Sequence, residues 1–196
     1  MARMSEFDTA FELAEGALAA ELPRRWAHSQ GVAERASELA PLLAGRAQLL
    51  ATAAILHDIG YSSRAKSTGF HPLDGARYLR DVGGFDDKVI KLVAHHSFAV
   101  IEADLRCLRE ELLGEFPAPD DALLMDALVF CDMTTTPDGA RTTAPSRIRE
   151  IASRYGSDSV VGQFIGLAEP HIVAAVRRIE DAKELHRRPV SATPST

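Results

Sequence analysis

An imidazole and a carboxylate stand side by side at His57 and Asp58, closing the apolar run from Leu49 to Leu56 just before Gly60. An unpartnered carboxylate in such surroundings costs several kcal/mol, so the position demands compensation, and a metal ion is the leading candidate. Asp58 is expected in the last turn of a helix. There the negative end of the helix dipole disfavours a carboxylate by about 0.3 to 1 kcal/mol, and a bound divalent cation reverses that sign. Asp132 repeats the pattern: it ends the apolar stretch Ala122 to Cys131 before Thr134-Thr135-Thr136-Pro137-Asp138-Gly139 breaks it.

Five of the seven histidines fall between His28 and His96, and His28, His57, His71 and His96 each stand at or near an apolar helical stretch. A lone His28 reads as a core or surface imidazole. Within one helical bundle, however, His28, His57, Asp58 and Asp132 could converge on one divalent metal. Mixed nitrogen and oxygen ligation suits Mn, Fe, Co, Ni or Zn, and the lack of a thiolate cluster argues against a structural zinc finger. His71 and one of His95 or His96 could hold a second ion, with Asp58 bridging. Consecutive helical side chains diverge by about 100°, so His57 and Asp58 can address different sides of such a pair. The bland reading is that His71 caps its helix and His95 faces solvent.

These residues must be positioned by helices. Phe7, Phe11, Leu13, Ala14, Leu18 and Leu22 recur at helical spacing, with Ser5 as cap and Pro23 as stop. A second helix carries Trp26, His28, Val32, Ala36 and Leu39 towards Pro41, and a third runs from about Gly45 to His57. A helix opened by His71-Pro72 stops at Gly83-Gly84, and one opened by Asp86-Asp87 leads into His95-His96. Further helices are expected around Val100 to Leu113, up to Asp132, from about Ser146 to Tyr155, and from Val160 to about Arg188 with a bend at Pro170. Without strand patterns or an internal repeat, the expected fold is all-α, a single helical bundle of about eight or nine helices. Residues 1–188 are read as one domain, with the motif-bearing core at about 24–135, C-terminal helices at about 146–188 and a disordered tail at 189–196.

The chain has 196 residues and a net charge of -6, so no global field draws it to nucleic acid or an anionic membrane. A hydrophobic fraction of 46% is that of an ordinary globular protein. Cys107 and Cys131 lie in apolar contexts without CxxC spacing, as buried thiols of a reducing compartment would. The first residues turn acidic before any hydrophobic stretch could act as a signal, so the expected location is cytoplasmic. His171 and His186 have no matching carboxylates and are read as structural or solvent-facing. Asp126 is placed on the opposite face from Asp132.

The ordered set His28, His57-Asp58, His71, His95-His96 and Asp132 resembles the HD-domain superfamily of metal-dependent phosphohydrolases, over roughly residues 28–132. The resemblance implies an HD-type bundle in which His28, His57, Asp58 and Asp132 bind one metal. In two-metal branches it adds His71 and His96, with His95 the adjacent competitor. The pattern is closer to the symmetrical diadenosine tetraphosphate hydrolase branch than to guanosine tetraphosphate hydrolases, because no Glu-Asp pair follows the doublet. The Gly-Tyr-Pro segment of cyclic-di-GMP phosphodiesterases is also missing.

The implied chemistry is hydrolysis of a phosphate ester or anhydride, expected on a nucleotide, by a metal-activated water, with one or two divalent ions (Mn, Fe, Co, Ni, Mg or Zn) as cofactor. The expected partner is a small phosphorylated molecule, with neither membrane nor nucleic-acid polymer. Asp58 is the central catalytic residue, and His95 could serve as general acid if His96 is the ligand. Arg64 and Lys66, in the flexible-looking segment Ser62 to Gly69, could guard a phosphate entrance, and Arg141 is a weaker candidate. Two other classes share such ligands: an HD-type di-iron oxygenase and a non-catalytic HD signalling module.

Overall fold

Helix formation starts where the sequence supplies a cap. The Ser5 hydroxyl accepts from the Asp8 amide while the Asp8 carboxylate accepts from the Ser5 amide, a capping box that opens α1 (Glu6–Leu18). Proline at the first turn opens α2 (Pro23–Ser37), α4 (His71–Val82) and α9 (Ala144–Tyr155), where its missing amide donor is not needed. Asp86 and Asp121 cap α5 (Asp87–His95) and α8 (Ala122–Met133) through their carboxylates.

In this computed structural model, which describes residues 5–187, the fold is all-α. Among the described residues the only β-type pairing is an isolated bridge between Thr135 and Arg141. The helix expected from Val100 to Leu113 is two, α6 (Ala99–Leu105) and α7 (Arg109–Glu115). Cys107 between them has a φ of 58°, which no helix can continue. That turn also leaves Cys107 exposed, contrary to the expectation of a buried thiol, whereas Cys131 is buried. The last helix, α10 (Val160–Arg187), runs through Pro170 without interruption. The expected tail at 189–196 lies outside the described residues.

The helix before the doublet, α3 (Ala47–Leu56), is apolar on nearly every side, and such a helix belongs inside. Leu50, Ala53, Ala54, Ile55 and Leu56 are fully buried. Around α3 stand α1, α2, α5 and α8, while α10 lies across α6, α8 and α9. Among the described residues, no helix is long and apolar enough to cross a membrane.

Two glycine contacts bring the chemistry-bearing segments together. A Cβ on Gly60 would lie 2.0 Å from the His71 carbonyl oxygen and 2.6 Å from the Gly75 amide, so only glycine lets the turn after the doublet abut the start of α4. A Cβ on Gly31 of α2 would meet the Gly139 carbonyl oxygen at 2.4 Å, so the loop after α8 rests directly on α2.

Candidate metal centre

Five helices deliver their ligand residues to one place. Arg25 and His28 lie three residues apart on α2 and so share a face. His57 caps the C-terminus of α3, and Asp58 falls one residue beyond it rather than within its last turn. His71 is the first residue of α4, His96 follows α5, and Asp132 is in the last turn of α8. His28, His57, Asp58, His96 and Asp132 are all buried.

The hydrogen bonds fix which nitrogen of each ring faces the centre. His28 Nδ1 lies 2.9 Å from the Thr136 carbonyl, His57 Nδ1 2.7 Å from the Ala54 carbonyl, and His96 Nδ1 2.7 Å from the Val93 carbonyl. A carbonyl can only accept, so these Nδ1 atoms carry the protons and each Nε2 presents its lone pair inward. His28 Nε2 then stands 3.0 Å from Asp132 Oδ1, an arrangement of two acceptors that requires a proton or a cation between them. His57 Nε2 is buried without a hydrogen-bond partner, with Asp58 Oδ2 at 3.3 Å. His71 and His96 approach through their Nε2 atoms at 3.0 Å. That is close to the ~3.0 Å edge of two nitrogens each about 2.1 Å from one ion at a right angle.

Ligand atoms of His28, His57 and Asp58 form one group within 4.8 Å, and those of Asp58, His71 and His96 form another. Asp58 belongs to both. Its Oδ2 faces His57 and its Oδ1 lies 3.4 Å from His71 Nε2, so the doublet carboxylate spans the two groups. Asp132, bonded to His28, also receives the Ser97 hydroxyl. Ser97 and Phe98 carry positive φ angles of 50° and 62°, a strained reversal that directs the serine inward. One orphaned nitrogen, converging carboxylates and fixed tautomers together suit one or two divalent cations.

Electrostatics match that role. Burial alone would raise the Asp58 carboxyl, but Arg25 above all, then His57 and His71, hold it well below the ordinary carboxylate range. Burial likewise opposes ionisation of Asp132, and the His28 hydrogen bond with the His57 and Arg147 charges outweighs it. Burial works against a charged His57, yet Asp58 and Asp132 bring it up to about 8, so without a cation the ring takes a second proton near neutral pH, which a bound metal would displace. His71 is pushed down by burial and by His96, and His96 by burial and by His57, so both offer neutral lone pairs at neutral pH.

Other expected residues are placed elsewhere. His95 is turned away: its Nε2 donates to the Phe116 carbonyl at 2.7 Å, which leaves no proton for a substrate and corrects the general-acid expectation. Arg64 and Lys66 are exposed and do not border the central cavity. Their loop is tied down rather than loose: Ser63 bonds Glu21, drawing Arg64 beside Gly16 of α1, and Asp74 accepts from Ser67, Thr68 and Gly69. Arg141 is exposed and pairs with Glu38. Asp126 pairs with Arg178 outside the centre, and His171 and His186 are exposed.

Sequence reasoning missed Arg25, whose Nη1 donates to Asp58 Oδ2 at 2.7 Å, so the doublet carboxylate has an arginine partner as well as any metal. Its spacing from His28 was the available signal. It also missed Tyr61, which stacks on His71 at 4.0 Å and has the Arg25 guanidinium carbon 3.9 Å from its ring centroid. A cleft spanning about 630 Å3, part of it open to solvent, lies over the centre. Asp58, His71, His96 and Asp132 border it on one side, and Arg147, Ile151, Arg154, Tyr155, Phe164 and Ile165 from α9 and α10 on the other.

An all-α bundle in which one carboxylate joins two His/Asp groups is a helical scaffold whose buried side chains could hold divalent cations. The HD-domain family matches residues 25–132, more than half of the chain, and the chain belongs to that family. A shorter similarity is to Ribonuclease Y of Rubrobacter xylanophilus, 36% identical over 70 residues, covering 36% of this chain and 14% of that protein. No solved structure matches the chain.

Proposed function

We propose that this protein is a metal-dependent phosphohydrolase acting on a small phosphorylated molecule, with a nucleotide as the leading substrate class. The observation that carries the reading is the sharing of Asp58 between two groups of inward-facing ligand atoms, one of which includes the orphaned His57 Nε2. His28, His57, Asp58 and Asp132 would hold one ion, and Asp58, His71 and His96 a second. Such ions supply a water of lowered pKa, from about 15.7 towards 7, and neutralise phosphate oxygens.

The chain's own residues do the positioning. The Thr136, Ala54 and Val93 carbonyls keep three imidazoles in the tautomer a cation needs, and Ser97 steadies Asp132. Arg25 fixes Asp58 from the side and adds positive charge at the cavity edge. We read 1–188 as one working unit, in the cytoplasm, with the symmetrical dinucleotide hydrolases as the nearest branch by motif.

The test is metal analysis after anaerobic purification, paired with a screen of phosphate monoesters, nucleotides and dinucleotides across Mn, Fe, Co and Ni. Phosphate or nucleotide release that Asp58→Ala abolishes is the expected result. Failure on every phosphate substrate together with iron-dependent oxygen consumption would turn the reading to an oxygenase. The Ribonuclease Y similarity favours a second reading, phosphodiester cleavage of RNA, and a short RNA in the same screen tests it. The net charge of -6 favours the small molecule.

A further inference from the structure

Beside Arg25 the central cavity is neighboured by a smaller recess of about 280 Å3, bordered by Arg24, Arg25, His28, Pro137, Arg147 and Arg154. Arg25, Arg147 and Arg154 border both spaces. Asp138 holds Arg24, Asp58 holds Arg25, and Glu150 serves both Arg147 and Arg154, while the two other acids of the central cavity, Asp132 and Glu102, bond His28 and Arg106. Asp58 is moreover the carboxylate shared by both ligand groups, so its charge is already committed to cations there. The recess itself is lined by four guanidinium groups and no carboxylate.

Arg147 makes that lining specific. The residue is 5% exposed, and its Nε is buried with no hydrogen-bond partner. A buried donor left unmet costs about 1 to 3 kcal/mol, more when charged, so an acceptor that reached Arg147 through the adjoining cavity would recover that cost. Planar guanidinium forks match phosphoryl oxygens in pairs. Arg154 shares Glu150 with Arg147 at 3.3 Å and is partly exposed, well placed to close on the same anion.

We propose that Arg147 and Arg154 of α9 form a second anion subsite next to the metal centre, so that the substrate is a small molecule bearing two phosphoryl groups. One group sits at the metal centre and the other against these arginines. The inference rests on the phosphohydrolase reading and adds a specificity element carried beyond residue 132, where the family match ends.

The test is calorimetric titration of the manganese-loaded full chain with inorganic phosphate and inorganic pyrophosphate, in the native form and in Arg147→Gln, Arg154→Gln and Arg147→Lys. The native protein is expected to bind pyrophosphate more tightly than phosphate. Each glutamine variant is expected to lose about 10- to 100-fold in pyrophosphate affinity and far less in phosphate affinity. Arg147→Lys recovers part of the loss, and circular-dichroism melting confirms folding; should Arg147→Gln not fold, Arg154→Gln decides alone. A pyrophosphate preference that survives the substitutions belongs to the metals and overturns the subsite. If the native chain cleaves phosphate esters but shows no such preference, only this inference falls. If it binds neither anion and cleaves no ester, the phosphohydrolase reading falls with it.

Discussion

The two sides of the central cavity are held in different ways. On the metal-facing side, three imidazoles are gripped by main-chain carbonyls, and the turn carrying Asp58 is wedged against α4 by Gly60. On the opposite side, arginines lean on one shared glutamate, and Ile151, Tyr155 and Phe164 present side chains alone. A side fixed by backbone can hold ligand atoms to tenths of an ångström, as metal coordination demands. A side made of long or exposed side chains adapts to what it receives. The family match covers the first side and stops before the second, so the candidate ligands and the cover over the cavity occupy separate stretches of chain.

The severest break in that contrast is Asp58→Ala. It removes the shared ligand and leaves Arg25 facing a buried space, so bound metal and metal-dependent activity are expected to vanish, with about 3 to 5 kcal/mol lost in urea unfolding. Metal analysis of the purified variant checks the first part. Next is Gly60→Ala, whose new methyl would collide with the His71 carbonyl; a loss of about 1 to 3 kcal/mol is expected, together with weaker metal retention.

Ser97→Ala removes the hydroxyl from Asp132 and is expected to lower metal affinity by about 10- to 100-fold in a competition titration, with the fold intact. Phe164→Ala, on the adaptable side, should leave metal content unchanged and raise KM by about tenfold; a fall in metal content instead would erase the contrast between the two sides.

The smallest effect lies far from both. Glu115 pairs with Arg77 and Arg80, whose hydrogen bonds and charges bring its carboxyl down to about 2 from an ordinary 4.5. Because the folded value is the lower one, this stabilisation is present above about 4.5 and is lost as the pH falls towards 2. Glu115→Gln should cost no more than about 1 kcal/mol at neutral pH, since the site is solvent-screened, and nothing once the pH is well below 2.

The helices and the order of ligand residues were legible because apolar periodicity and an imidazole or carboxylate at a helix end are local facts. His28 and Asp132 meet through a contact between residues 104 positions apart, yet each announced itself by its own surroundings. The break at Cys107 was illegible, since a left-handed residue other than glycine leaves no compositional mark. His95 and His96 could not be separated either. Their difference lies at the end of α5, where consecutive residues point different ways, one ring to the centre and the other to the Phe116 carbonyl. Arg64 and Lys66 were chosen for nearness in sequence to the doublet, whereas the arginines that border the cavity come from α2 and α9, brought there by packing.

The contact between Gly60 and the first turn of α4 works as a caliper. Two residues without side chains, Gly60 and Gly75, set how far the doublet stands from His71, and that gap is a main-chain dimension. Surface drift, or exchange of the whole C-terminal cover for another, would leave it unchanged. The candidate ligands on either side of it therefore keep one spacing whatever covers the cavity.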